Sequence, residues 1–338
     1  MSLLKTNEIQ NYNGSSLTLT ASTVSTSAQL NTGGNISVTG SLNVSDDSTT
    51  RTNLGLGTIA TQDSSNVSIS GGSITGTTIV PSTPFSFRNR IINGNLSNPI
   101  NQRSAGSITA STGYTYDRWY YDGSTYLYQG IENKNVNNGT YVISWEGSGI
   151  NAAWKVSTDT TANNGPDSTT GFTSVSNGGT FTVNEGTEYS KHLWIRFDGT
   201  LANLDKVMVE EGTVATPFEH RPYGTELVLC QRYFETSYNI GTAIGTATDV
   251  GSCMFISNRN PGLPHTQVRY AVTKRTTPTF TAYNPNDGTS GEMRDLDASA
   301  DYSVQFTSNG ITGGHLWTYT SVGLGNFLQF HYTASAEI

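Results

Sequence analysis

The segment from Asn203 to Glu235 constrains the fold more than any other part of this sequence. Val207 and Val209 alternate with Lys, Met and Glu neighbours, which is the period of a strand with one buried face. The Glu211-Gly212 pair ends that strand, and prolines and a further glycine interrupt regular structure after it. The segment therefore predicts that a β-domain closes here and that a stiff elbow follows.

A short helix is predicted immediately after the elbow. Thr225 is placed to cap it, and Glu226 would lie in its first turn. Leu227, Cys230 and Phe234 follow at spacings that place them on one stripe of a helix. We therefore expect a connecting helix within residues 224–238 that leads into a new domain.

The composition excludes several fold classes. Of the 338 residues, 13% are charged and 10% are aromatic. Globular proteins carry about 25% charged residues, and a coiled coil would need still more Glu, Lys and Arg. A disordered chain would usually be richer in charge and poorer in aromatic residues. Many short strands joined by polar turns fit these numbers best, so the predicted fold class is all-β.

The charge and the apolar runs restrict the partners of the chain. The net charge is −8 without a basic stripe, so we expect no binding of nucleic acid. No apolar run approaches the length of a transmembrane span, so we expect no membrane insertion. The first ten residues lack the apolar core of a signal peptide. We therefore expect the protein to be made in a cytoplasm and to leave it as part of a particle.

The two cysteines are interpreted as small hydrophobic residues rather than as a disulfide. Cys230 falls on the predicted helix, and Cys253 lies in an apolar strand. Free cysteine is among the most frequently buried residue types.

The first 85 residues differ from the rest in aromatic content and in pattern. Short alternating apolar sets are separated by glycines, and the phrases at 36–45 and 67–77 read as imperfect copies of one unit. One such strand buries too little apolar surface to offset its ordering entropy, whereas three chains side by side can. Residues 26–85 are therefore predicted to form a slender β-structured shaft in a homotrimer. A disordered linker is the alternative.

Two antiparallel β-domains are predicted after this segment, the first a sandwich of residues 86–223 and the second a smaller domain of residues 239–338. The strands expected in the first are Tyr126–Ile131, Tyr141–Trp145, Phe181–Val183, Leu193–Phe197 and Val207–Val209. Those expected in the second are Ser252–Ser257, Thr266–Val272, Thr279–Tyr283, Tyr302–Phe306, Leu316–Tyr319 and Phe327–Tyr332.

Several segments resemble bacteriophage tail-fibre and receptor-binding proteins. The run VMVEEGTVATPFEHRPYGTELVLCQRYFE, at 207–235, is similar to a segment that ends a jelly-roll module in that family. Further resemblances lie at Arg88–Arg103, Tyr114–Trp119, Leu54–Thr77 and the N-terminal LKTNEIQNYNGSSLTLT. The resemblance implies a jelly roll like a carbohydrate-binding module at 86–223 and a fibre tip at 239–338. It also implies that residues 1–25 dock to other virion proteins of the tail, baseplate or capsid.

The sequence does not predict an enzyme. The five histidines have no metal-ligand spacing, and no nucleophile elbow or phosphate-binding loop is present. Six carboxylates in the first domain are interpreted as solvated turn and edge groups rather than a glycosidase pair. They are Asp117, Asp122, Glu132, Glu146, Glu185 and Glu188. No cofactor is expected, although loop carboxylates and carbonyls holding a structural Ca²⁺ remain an alternative.

Trp194 is the leading candidate for carbohydrate binding. Sugars are recognised by a flat aromatic ring against their C–H face, with polar groups for their hydroxyls. If Leu193, Ile195 and Phe197 face the core, Trp194 shares the other face of its strand with His192 and Arg196. The alternative is a second layer, or a trimer contact, packed over Trp194.

Other aromatic residues are further candidates for the same role. Tyr121 belongs to a tyrosine cluster beside Asp122, and Trp145 and Trp154 flank a glycine-rich loop; for each of them a place in the core is the favoured alternative. Trp317 and Tyr319, beside His315, lie where a loop of the tip would meet a host first. Trp119, by contrast, is expected in the core, with Arg118 paired to a carboxylate.

The predicted function is adhesion of a virion to host surface polysaccharide by a homotrimeric tail fibre. Weak single sites would then act together through avidity. Two alternatives remain open. One is a structural head-fibre, collar or decoration protein without sugar binding, and the other is a polysaccharide depolymerase.

Overall fold

The computed structural model describes residues 87–158, 165–184, 191–258 and 263–338, which belong to one compact unit, Ile79–Ile338. The predicted attachment segment (1–25) and shaft (26–85) lie outside the described residues, as do Glu185 and Glu188. Within the described residues the chain forms strands and a single α-helix, which confirms the all-β fold class.

Two antiparallel sheets form the first half of the described chain. Their strands are β1 (Gly113–Tyr114), β2 (Tyr120–Tyr121), β3 (Leu127–Ile131), β4 (Gly139–Glu146), β5 (Ile150–Thr158), β6 (Thr173–Val175), β7 (Thr180–Val183), β8 (Lys191–Gly199) and β9 (Asp205–Glu211). One sheet has the order β1-β2-β3-β8-β5-β6 and the other β7-β4-β9. Both contribute to one apolar core, which includes Ile195 and Phe197 from β8 and Tyr141 from β4. The sandwich expected from the strand pattern is therefore present.

The helix α1 (Tyr223–Gln231) follows the elbow. Glu226 lies in its first turn as expected, but Thr225 lies inside the helix and does not cap it. Pro222 precedes the helix with a φ of −55°, close to the helical value, so the helix begins directly after it. Phe234 is not on the helix, because the chain turns and enters the next strand.

Nine further strands form the second half. They are β10 (Phe234–Thr236), β11 (Cys253–Ile256), β12 (His265–Arg269), β13 (Thr279–Tyr283), β14 (Glu292–Asp295), β15 (Ala300–Ser303), β16 (Gln305–Gly310), β17 (Gly313–Trp317) and β18 (Phe327–Ser335). β18 pairs with β10, β11, β13 and β14, and β15 extends that sheet beside β14. A second sheet has the order β12-β17-β16. The two sheets share a core that includes Val268, Leu316 and Phe330.

Two strands are buried on both faces, although the alternation in their sequences predicts one buried face and one exposed face. In β9, Met208 and Glu210 are buried together with the valines, and Glu210 accepts hydrogen bonds from Thr216 in the elbow. In β18, His331 is fully buried and its ring stacks on Tyr238 at 3.9 Å between ring centres. The second face of each strand is covered by another segment of the chain. The alternation of apolar and polar residues within the strand does not predict this covering segment.

Buried ion pairs tie the first half of the chain to its last residues. Arg118, Trp119 and Asp117 are all buried, and Arg118 pairs with Glu337, as expected of an arginine in the core. Arg103 Nη1 lies 2.6 Å from Asp117 Oδ1. Asp117 is therefore not the solvated carboxylate that the sequence predicts.

The other carboxylates of this group differ in their surroundings. Glu132 is also buried, with Arg232 Nη2 at 2.8 Å from its Oε1, so the expectation of a solvated group is wrong there too. Asp122 is half-buried, and its Oδ1 accepts backbone hydrogen bonds within the turn that follows β2. Glu146 is exposed, as expected.

Both cysteines are free, as predicted, with Cys230 buried and Cys253 half-buried. Burial raises the pKa of both thiols.

Candidate functional site

Trp194 is fully buried and offers no ring to a ligand. Its strand does turn Leu193, Ile195 and Phe197 towards the sandwich core, as predicted. The opposite face of the strand is covered by α1 and the end of the chain, because Trp194 packs in one cluster with Cys230 and Ile338. The second layer packed over Trp194 is therefore the arrangement observed, and the prediction of an exposed ring is wrong.

His192 and Arg196 share that face but do not form a site with Trp194. His192 is buried, and its Nδ1 accepts a hydrogen bond from the backbone N–H of Asn133 at 3.2 Å. Burial lowers the pKa of His192 to about 4, with the positive charge of Arg275 as a further cause. The guanidinium of Arg196 is half-buried between the rings of Tyr126 and Phe172, at 4.2 and 4.7 Å from their centres. His192 and Arg196 therefore contribute to the packing of this face rather than to a binding site.

Tyr121 is half-buried at the margin of the sandwich core. Its neighbours in the tyrosine cluster pack on one another, with Tyr120 and Tyr126 at 6.3 and 6.0 Å from Tyr128 between ring centres. Burial raises the pKa of Tyr128 above its ordinary range. The cluster is a packed layer rather than a binding surface.

Trp145 and Trp154 line two openings between the sheets of the sandwich. Trp145 borders a groove of about 650 Å³ together with Asn151, Asn177 and Asp198. Trp154 borders a smaller groove of about 310 Å³. Only 8% of Trp145 is exposed, however, and Trp154 stacks on Phe181 with ring centres 4.8 Å apart. The grooves are polar along their rims, but Trp145 is almost fully buried and Phe181 covers one ring face of Trp154.

Trp317 lies on the outer face of its sheet, where it is half-buried. In β17, Leu316 is fully buried while Trp317 and His315 point to the opposite, solvent side. The same alternation holds in β12, where Val268 is buried and its neighbours are exposed. Tyr319 is 69% exposed and meets Trp317 edge to face, with 4.4 Å between ring centres.

The strand register surrounds Trp317 with polar side chains. His265 of β12 and Gln305 of β16 pair with Trp317 from either side, and both are exposed. One step along the strands, Gln267 and Thr307 flank His315 in the same way. Cross-strand partners lie about 5 Å apart, so these groups form one continuous surface. We call it the Trp317 face. It comprises His265, Gln267, Arg269, Gln305, Thr307, His315, Trp317 and Tyr319.

The face can bind a ligand that is apolar on one side and rich in hydroxyl groups. The indole of Trp317 supplies a flat apolar surface, and the amides of Gln267 and Gln305 both donate and accept hydrogen bonds. Because the side chains stand on paired strands, their spacing is set by the sheet rather than by a loop. Trp317 and Tyr319 are thus the predicted site residues that the structure brings together.

Sequence reasoning missed the partners of Trp317 on this face. His265, Gln267 and Arg269 alternate with Thr266 and Val268, so their common orientation is readable from the sequence. Their position opposite β17 is not readable, because the pairing of β12 with β17 joins segments some fifty residues apart in the chain.

The described residues contain no group of three or more His, Cys, Asp or Glu side chains placed to hold a metal ion. Among the described helices none is long and apolar enough to span a membrane. Asp117 and Glu132 are engaged in ion pairs, and Asp122 accepts hydrogen bonds within a turn.

No protein-family model matches the chain, and no curated protein matches it. Among solved structures it is similar to recombinant discoidin II of Dictyostelium discoideum, with 11% sequence identity and a TM-score of 0.19. The aligned region covers 74% of this chain and 93% of that one. A likeness at this TM-score carries no functional argument, so an activity has to be inferred from the side chains of this chain.

Proposed function

We propose that this chain is a phage tail-fibre receptor-binding protein that adheres to host surface glycans through the Trp317 face. The observation that carries the proposal is the half-buried tryptophan on the outer face of its sheet, with Tyr319 edge to face against it and the polar residues His265 and Gln305 on either side. The assignment to a phage fibre rests on the segments that resemble that family, above all residues 207–235.

Glycan binding fits this surface because of the chemistry of sugars. A pyranose presents C–H groups on one face, which stack on an indole, and hydroxyls at its rim, which need both donors and acceptors. Gln305 and His265 lie on either side of Trp317, within reach of such a rim. A single stack of this kind is weak, and a homotrimer with several fibres per virion multiplies it through avidity.

Binding of the full chain to a glycan array and to host cells tests the proposal. Trp317→Ala is expected to weaken binding about tenfold or more, since it removes the stacking surface. Tyr223→Ala is the matched control, because Tyr223 is an aromatic residue that is 49% exposed on α1. Light scattering on the same samples reports whether the protein and its variants are trimers.

Three outcomes contradict the proposal in different ways. Equal losses in Trp317→Ala and Tyr223→Ala would show that the Trp317 face is not the site. Loss in Trp154→Ala alone would place binding in the grooves between the sandwich sheets. A parent protein that binds neither glycans nor cells would favour a structural virion protein such as a head fibre, collar or decoration protein.

A further inference from the structure

Arg269 is an exposed arginine at one end of the Trp317 face. Most arginines of the described chain pair with a carboxylate, as Arg103, Arg118 and Arg294 do. Arg269 has no ion pair within the described residues, although the whole chain carries a net charge of −8. Its positive charge is therefore left for a group from outside.

Gln267 holds the guanidinium of Arg269 over the face. In the amide orientation that satisfies both groups, Gln267 Oε1 accepts from Arg269 Nε at 3.3 Å and from Nη2 at 3.1 Å. Gln267 lies between Arg269 and His265 along β12, so the guanidinium is drawn towards Trp317. Both N–H groups on Nη1 remain free to bind an anion.

The Trp317 face contains no carboxylate of its own. On β15, the strand that leads into β16, the acidic residue is Asp301, and Arg294 holds it at 3.0 Å. Near the other end, Glu235 contacts the backbone of Ala271 but is buried and ion-paired with Lys274. The face thus carries the positive charge of Arg269 at one end and no carboxylate.

We propose that the Trp317 face takes a carboxylate-bearing sugar, with its C–H face on Trp317 and its carboxylate on Arg269. This inference rests on the proposed function. His265, beside Trp317, and Arg269 lie four positions apart along the strand, a Cα distance of about 13 Å, which the inclined guanidinium shortens. A disaccharide or a longer glycan, rather than a single pyranose, fits that distance. Guanidinium groups pair with carboxylates through two parallel hydrogen bonds, and one isolated arginine matches a single negative charge.

The deciding experiment compares an acidic polysaccharide with the same polysaccharide after reduction of its carboxylates to alcohols. The parent protein is expected to bind the acidic form about tenfold more tightly, with an advantage that shrinks as salt is added. Arg269→Gln is expected to abolish that preference, and Arg269→Lys to restore part of it, since lysine keeps the charge but not the paired geometry.

Lys134→Gln is the matched control, because it removes one exposed positive charge from the sandwich, outside the Trp317 face. It should keep the full preference, and an equal loss in Lys134→Gln and Arg269→Gln would overturn the inference by showing a general charge effect. A stronger preference for phosphorylated glycans would also overturn it.

Failure of this inference is distinguishable from failure of the proposed function. Equal binding of both polysaccharides that is lost in Trp317→Ala would overturn the carboxylate preference and leave glycan adhesion in place. Absence of binding to both forms and to every glycan of the array would overturn adhesion itself.

Discussion

Gly130 lies directly opposite Trp194 in the pairing of β3 with β8, and an added Cβ at Gly130 would lie 3.1 Å from two atoms of the indole ring. The same Cβ would lie 3.2 Å from Ile338 Cγ2. The absence of a side chain at Gly130 therefore makes room for the indole and for the end of the chain on the outer face of the sandwich.

Gly130→Ala is expected to lower the free energy of unfolding by about 1–2 kcal/mol, since the indole and Ile338 must both shift to admit a methyl group. Urea-induced unfolding measures this loss. Gly106→Ala is the control, because no atom lies within 4 Å of its added Cβ. A Gly130→Ala variant as stable as Gly106→Ala would mean that the packing around Trp194 is loose.

Trp194→Ala and Trp317→Ala should separate stability from binding. Removal of the fully buried Trp194 is expected to cost about 3–5 kcal/mol through the cavity it leaves. Trp317 is only half-buried, so its removal should cost less, about 1 kcal/mol. Thermal unfolding of both variants, measured beside their glycan binding, checks the contrast. A large loss of stability in Trp317→Ala would indicate that another part of the molecule covers that face.

Glu337→Gln tests the buried ion pair between the last residues and Arg118. The neutral amide removes the charge that faces the buried Arg118 and also Arg103, whose Nη2 lies 3.2 Å from Glu337 Oε1, which is expected to cost about 3–5 kcal/mol. Glu146→Gln is the comparison, because the pair of Glu146 with Lys206 is exposed and should contribute little. Similar unfolding midpoints for the two variants would contradict a structural role for the Arg118–Glu337 pair.

Asp117 and His192 are expected to make stability depend on pH in opposite directions. Burial raises the pKa of Asp117 from 3.8 to about 6, against the opposing charge of Arg103. Its stabilising contribution is complete below pH 3.8 and is lost as the pH rises through about 6. Burial lowers the pKa of His192 from 6.5 to about 4, so its contribution is complete above pH 6.5 and is lost as the pH falls through about 4.

In the parent protein the two contributions should therefore nearly cancel, so that these two groups add little slope to the free energy of unfolding as a function of pH between pH 4 and 6. In Asp117→Asn only the contribution of His192 remains of the two. The free energy of unfolding should therefore fall on acidification, by on the order of 2 kcal/mol. In His192→Gln only the contribution of Asp117 remains, so the free energy of unfolding should rise on acidification over the same pH range. Urea unfolding at stepped pH measures how each slope differs from that of the parent protein, which removes the contribution of other shifted groups such as His331, and differences of the same sign would refute the assignment.

Sequence reasoning recovers most strands because their inner faces alternate. Thr279–Tyr283 is predicted with its observed bounds, and β8 is found through Leu193, Ile195 and Phe197. β5 is missed even though Ile150, Ala152, Trp154 and Val156 alternate, because the small alanine weakens the signal. The alternation of a strand reports which residues share a face, and in β8 it does so correctly.

What alternation cannot report is the element that covers the second face. Trp194 satisfies every local criterion for an exposed aromatic residue, yet α1 and Ile338 pack over it from positions distant in sequence. Trp317 has the same local pattern but is only half-buried. The two tryptophans differ only in long-range packing, so their order as candidate sites could not be derived from the residues around them.

The position of β18 in the chain bears on how the protein matures during synthesis. β10, β11, β13 and β14 all hydrogen-bond to β18, and each of them precedes it in sequence. While the ribosome still holds residues 327–335, these strands lack the partner that joins them, and their edges and apolar faces stay open to wrong pairing. This half is therefore expected to fold only after residues 327–335 have left the ribosome, and to fold slowly, since its pairings span long stretches of chain. A nascent chain that stalls shortly before β18 would be a substrate for chaperones and proteases rather than a shortened but working protein.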